Sequence, residues 1–348
     1  MFLLAYYLLQ SLLRSAVLAC AIVFIFGDAM YASWLNSFYM DTATYLFLLL
    51  ALVFFLRAAA WRRKIDAIGF VLCSVLMIAA KTQHAIFGVW IALLCACCGT
   101  RLWSRRFAVR STVTVLVATL AILMTAPRDY PAMGYFSVIF YQILPHSSDP
   151  VGDLKALGLD ESYLKWSGTY AFSEGNQLGN PQFFKAFTSS TGYGRLGWFF
   201  LTHPRAAYLA LDVSLAEGAR QRPFLGNFDR AVGRPPFAES HAFSLWSDAK
   251  KWLFYQHGTR YLCWWAIVLA SFCSLLVWRR AALSVEMLLG CFALMGLAAT
   301  ALLVASLADA VDVPRHHFMD NALLDLLLIG CLALGVQTGN PKPSSVKC

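Results

Sequence analysis

Long apolar runs, each closed by charged or turn-forming residues, recur along the chain and predict helices near 9–27, 42–60, 66–82, 84–100, 110–126, 259–278, 283–307 and 321–337. Runs of roughly 17 to 25 apolar residues are long enough to cross about 30 Å of hydrocarbon as helices, and a helix satisfies its own backbone in lipid. Between the fifth and sixth runs the pattern changes. Residues 127–258 carry nearly balanced charge, most of the prolines and many Gly, Ser and aromatic residues, which predicts a folded, mostly helical domain of about 130 residues. Within it Tyr135–Leu144 is apolar but too short to span, so it is expected to lie in the interface or pack under the domain. Pro204 opens a helix through Ala219, which Pro223 and Gly226 end. The expected fold class is therefore an all-α polytopic membrane protein with about eight transmembrane helices and one mostly helical exoplasmic domain. Its parts are helices one to five (1–126), the exoplasmic domain (127–258), helices six to eight (259–337) and a cytoplasmic tail (338–348).

Composition supports this division. The chain is 59% hydrophobic and 14% charged, with a mean hydropathy of +0.60, more apolar than a soluble core requires. The net charge of +9 would suit nucleic acid, but its placement excludes that class. Arg14, the clusters Arg57–Lys64 and Arg101–Arg110, Arg279, Arg280, Lys342 and Lys347 all fall on one side of the helix assignment, with only Asp66 and Glu286 among them. That asymmetry marks the cytoplasmic face. Residues 28–41, the turn at Lys81–His84, the 127–258 segment and 308–320 are then outside. None of the ten cysteines lies between Arg128 and His257, so no disulfide is expected in the outer domain. Arg14 follows a first apolar stretch instead of preceding it, which predicts a retained anchor and not a cleaved signal peptide. No phosphate-cradling glycine loop and no internal repeat is present.

Four outward features carry candidate chemistry. The loop 27–41 places Asp28 and Asp41 beside the bilayer, with Asn36 and Tyr39 between them. Such a carboxylate serves as a general base toward an acceptor hydroxyl or as a ligand of a divalent cation, and equally as an ordinary helix cap. The loop before the last helix gathers Arg315, His316 and His317 with Asp309, Asp312 and Asp320, a set suited to a lipid phosphate, with a metal site or a solvated loop as alternatives. Asp325 interrupts an apolar run, where a lone charge is costly, so it must be partnered or line a wet cavity. Lys81, Gln83 and His84 are candidates for that cavity. Trp246 belongs to an aromatic set in the outer segment, with Trp166, Tyr193, Phe224 and Trp252 among others, that suits sugar stacking, core packing or a membrane-interface belt.

Several strings carry a resemblance: WLNSFYMD (34–41), DPVGDLKALGLD (149–160), SGTYAF (167–172), THPRAAYLAL (202–211), RPFLGNFDR (222–230), FSLWSD (243–248) and PRHHFMDNALLDLL (314–327). In this order they resemble polytopic hexose transferases of bacterial surface-glycan biosynthesis, the WsfD-like group, of the membrane-embedded GT-C type. The resemblance implies a bacterial inner-membrane enzyme that takes a hexose from a polyprenyl-phosphate donor to a glycan or lipid acceptor outside the cytoplasm. Asp28 or Asp41 would then be base or cation ligand, Mg or Mn being the candidate ion, and the cofactor is otherwise open. Arg315, His316, His317 and Lys81 would hold the donor phosphate, while Asn36, Tyr39, Trp246 and Asp325 would line the acceptor cavity. Relatives of this kind carry further helices and an acidic first outer loop ahead of the matched region. The chain is therefore expected either to be the carboxy-terminal part of such an enzyme or to use Asp28 and Asp41 instead, although Met40 stands where an acidic residue is expected. The alternative is a non-catalytic membrane subunit of a glycan assembly or export system.

Overall fold

The computed structural model describes residues 11–37, 39–127, 129–220, 228–235 and 238–336. The tail 338–348, Phe224, Pro223, Gly226 and the first residues of the predicted helix at 9–27 lie outside the described residues. The chain is all-α, with no strand among the described residues. Its helices are α1 (Leu12–Phe26), α2 (Met40–Trp61), α3 (Lys64–Ala80), α4 (Phe87–Leu102), α5 (Arg105–Thr125), α6 (Tyr130–Ser137), α7 (Pro150–Ala156), α8 (Pro181–Ser190), α9 (Tyr193–Thr202), α10 (Pro204–Gly218), α11 (Leu245–Phe254), α12 (Gly258–Arg279), α13 (Val285–Leu307) and α14 (Phe318–Val336).

Each of the eight apolar runs is a helix within a few residues of its expected place: α1 to α5 and α12 to α14. Among the described residues six spans are long and apolar enough to cross a membrane: Met40–Trp61, Thr82–Leu102, Arg105–Thr125, Gly258–Ala282, Val285–Leu307 and Phe318–Val336. A seventh forms when α1 is joined to the turn Ala29–Asn36 across a 54° bend. Helix α3 has 17 residues, about 25 Å at 1.5 Å per residue. It stops at Lys81, whose extended backbone turns the side chain toward α2. The protein is a multi-pass membrane protein.

Side-chain contacts define the two ends of the bundle. At the arginine end, Arg57 pairs with Asp66 at 2.8 Å, and Arg62 reaches both Glu286 at 3.5 Å and the Arg101 carbonyl at 3.0 Å. The two acids of this basic end are thus each matched to an arginine. Ser104 and Ser284 cap α5 and α13 by accepting from the N–H groups of Phe107 and Met287. Along the bundle, small residues let helices approach: a Cβ on Gly99 would stand 2.8 Å from the Ala108 backbone.

The opposite end carries a second core, built by residues between Ala132 and Ala210 with Ala310 around Phe136, Phe140, Phe187 and Phe199, while Leu215, Ala219 and Phe254 pack into the bundle core. The short apolar stretch Tyr135–Leu144 is buried in this core, apart from the exposed Tyr141. It continues α6 as one π turn, Val138–Ile143, then a 3₁₀ turn, Leu144–His146. Helix α10 packs on α12 and α13, and α11 packs on α12, so the segment is anchored to the bundle through these two helices.

Candidate functional site

At the segment end, four polar groupings hold the loops together. The first begins at Asp41, in the first turn of α2, where a carboxylate favours the helix dipole. The Lys81 ammonium donates to both its oxygens, at 2.9 and 3.1 Å. His84 lies 3.9 Å from the same carboxylate and bonds Thr44 at 3.0 Å. Beside His84, Gln83 meets His316 Nδ1 at 2.9 Å, and His316 Nε2 faces Asp309 at 3.3 Å. Burial alone would raise the Asp309 carboxyl, but the hydrogen bond and charge of His316 and the Val311 N–H outweigh it and hold it below the usual carboxylate range. Arg315 pairs with Asp312 at 3.2 Å and lies 5.0 Å over the Tyr39 ring, while its Nε–H has no hydrogen-bond partner among the described residues. Loops remote in sequence therefore bring Asp41, Lys81, Tyr39, Arg315 and His316 to one rim.

The second grouping surrounds Asp325. Lys250 pairs with it at 2.7 Å, and the Tyr31 hydroxyl and Trp246 Nε1–H donate to its other oxygen at 2.7 and 2.9 Å. Lys250 also reaches Asn321, which accepts from the Tyr261 hydroxyl. The ion pair is sealed, with side-chain exposures of 1% and 0%. Trp246 and Lys250 stand four residues apart on α11, so one helix face delivers both. In the third grouping Asp28 caps the turn after α1, accepting from Met30 N–H at 2.8 Å, and its second oxygen takes the Ser247 N–H of α11 at 3.0 Å.

The fourth joins α10 to α14. Ser214 Oγ meets His317 Nε2 at 2.8 Å, and His317 Nδ1 faces Asp320 at 3.1 Å. This has the connectivity of a nucleophile, a base and an orienting carboxylate. All three are 0–1% exposed, so the chain acts as a clasp between helices, and the His317 ring packs where Gly218 lacks a Cβ.

The residues singled out by sequence thus separate. Asp41, Lys81, Tyr39, Arg315 and His316 meet at the rim. His317 is turned into the α10 clasp. Asp28, Trp246 and Asp325 belong to the docking of α11, and Asn36 lies exposed on the surface. Lys250 was not anticipated, although Asp325 in an apolar run demanded a cation and Lys250 sits one turn from Trp246. Both Asp41 oxygens face an ammonium and both Asp28 oxygens face backbone N–H groups, so neither offers a bare carboxylate to Mg or Mn. Among the described residues no three His, Cys, Asp or Glu side chains are grouped to hold a metal ion.

The family model described as YfdI N-terminal transmembrane domain matches residues 1–342, and the chain belongs to that family, a membrane protein of the glycosyltransferase-like kind. No curated protein and no solved structure matches the chain.

Proposed function

We propose that this protein is a membrane glycosyltransferase that moves a hexose from a polyprenyl-phosphate donor to a surface glycan or lipid acceptor on the outer face of the bacterial cytoplasmic membrane. The observation that carries this reading is the rim: Lys81, Arg315 and His316, residues suited to grip a phosphate, converge beside Asp41, and the Arg315 fork keeps an N–H unpaired. A donor phosphate entering there takes the Lys81 ammonium and the Arg315 fork. Asp41, released from Lys81, then accepts the proton of the attacking hydroxyl. Asp28 acts only by positioning α11. The arginine end is cytoplasmic by its charge, and residues 127–258 are exoplasmic.

The test is transfer of radiolabelled hexose from a polyprenyl-phosphate donor in membranes containing this chain. Lys81→Met, Arg315→Ala and Asp41→Asn are each expected to lower the rate by about 100-fold or more, the scale of one lost electrostatic contact in a preorganised site. Undiminished transfer in all three sinks the assignment.

A second reading is a non-catalytic subunit of a glycan assembly system, or a part of such a transferase. It is favoured by the pairing of the rim charges with one another, Asp41 with Lys81, Arg315 with Asp312 and His316 with Asp309. It predicts no transfer by the isolated chain despite correct insertion.

A further inference from the structure

A pocket of ≈ 250 Å³ lies apart from the rim, where the π turn Val138–Ile143, the 3₁₀ turn Leu144–His146 and the start of α10 meet. Its polar lining is mainly made of acceptors. Gln142, 5% exposed, donates its amide nitrogen to the carbonyls of Ala210 and Ser306 at 2.8 and 3.2 Å. Two carbonyl oxygens require the NH₂ end of the amide there, so its orientation is settled and Oε1 is left buried without a donor. His146 Nδ1 faces the Gln142 carbonyl at 2.9 Å, and His203 Nδ1 faces the Phe199 carbonyl at 3.1 Å. A carbonyl only accepts, so each ring carries its proton on Nδ1 and presents Nε2 as an acceptor when neutral. Asp153 takes the Ser147 hydroxyl on Oδ2 at 2.5 Å and keeps Oδ1. Donors sit at the edge: the Arg205 guanidinium, which has no carboxylate partner among the described residues, and the Ser148 hydroxyl. Ile143, Pro204 and Leu209 supply an apolar wall.

This lining discriminates between ligand classes. An anion would meet the Asp153 carboxylate and the Gln142 oxygen, and an apolar ligand would leave the acceptors unpaired. A metal ion finds no group of three suitable ligands among the described residues. A polyhydroxyl ring fits, because each hydroxyl both donates and accepts and the ring's C–H face suits the apolar wall. We infer that this pocket is a saccharide-binding site for one sugar unit, held by Gln142, His146, Asp153 and Arg205. Gln142 ties the pocket to Ser306 in the last turn of α13, three residues before Asp309, which pairs with His316 at the rim. The bound sugar is accordingly part of the acceptor, an assignment that rests on the transferase reading; binding itself does not.

The experiment is saturation-transfer NMR on the purified full chain in nanodiscs, with methyl gluco-, galacto- and mannopyranoside offered one at a time and inorganic phosphate as the contrasting probe. At least one hexoside is expected to receive saturation. His146→Ala and Arg205→Ala, both at exposed residues whose replacement spares the fold, should each weaken it roughly two- to tenfold, the scale of one hydrogen bond. Unshifted melting of both variants is the fold control. No saturation of any hexoside, equal saturation in both variants, or phosphate binding lost in Arg205→Ala without hexoside binding overturns the inference. No transfer step is read, so hexoside binding by a chain inactive in transfer refutes the transferase reading alone, and transfer without hexoside binding refutes the pocket alone.

Discussion

Two Asp–Lys pairs stand at the same end of the bundle, and they differ in what surrounds them. Lys250 and Asp325 are exposed by 1% and 0%, and Asp325 has two further donors in Tyr31 and Trp246. Lys81 is 11% exposed, and beside it Asp41 has the His84 imidazole at 3.9 Å. The first pair is a sealed latch that fixes α11 to α14; its hydrogen bonds leave no room for a ligand charge. The second pair sits on a rim with Arg315 and His316, where a competing anion can enter. The same pairing of residue types thus serves docking in one place and suits recognition in the other. The difference is decided by which loops cover the pair.

The widest separation is expected from removing the cations. Lys250→Met strands the Asp325 carboxylate in a dry interior and should cost about 3–5 kcal/mol of stability, whereas the double change Lys250→Met with Asp325→Leu should restore most of it. Thermal unfolding in detergent measures both, and a single variant as stable as wild type would show that the latch is wet. Lys81→Met should cost less, about 1–2 kcal/mol, because water reaches its rim, while transfer falls far more than melting. Loss of both in proportion would make the second pair a latch as well.

A comparable cost comes from Gly218→Ala, whose new Cβ would stand 2.5 Å from the His317 ring. Overpacking there is expected to cost about 1–3 kcal/mol and to loosen α10 from α14, read as faster amide exchange in α10. The smallest effect is acid sensitivity of the rim. The Asp309 carboxyl is held below its ordinary value, so its contribution is complete above the usual carboxylate pKa of about 3.9 and is lost as pH falls through the lower folded value. Melting measured from pH 5 downward should fall less steeply in Asp309→Asn than in wild type.

The fold was largely legible because lipid imposes a length on every apolar run, and all eight runs became helices. Helix α5 departs most, starting at Arg105 five residues before its expected place, and α3 stops where Lys81 turns toward Asp41. The rim was legible in part: Asp41, Lys81, Arg315 and His316 were singled out by residue type. Asp28 and His317 have the same residue types, yet one spends both oxygens on backbone N–H groups and the other is fully buried between Ser214 and Asp320. Nothing local to either residue carries that information.

By itself the sequence determined the helical class, the number and placing of the long helices and the gathering of arginine at one end, because hydropathy and charge act on each segment through the solvent it meets. Only the tertiary structure decided that Lys250 answers Asp325, that Asp41 faces Lys81, and that Gln142, His146 and His203 border one pocket. Those partners lie far apart in the chain or on a π turn, and a hydrogen bond or ion pair depends on distances of about 3 Å that only packing sets.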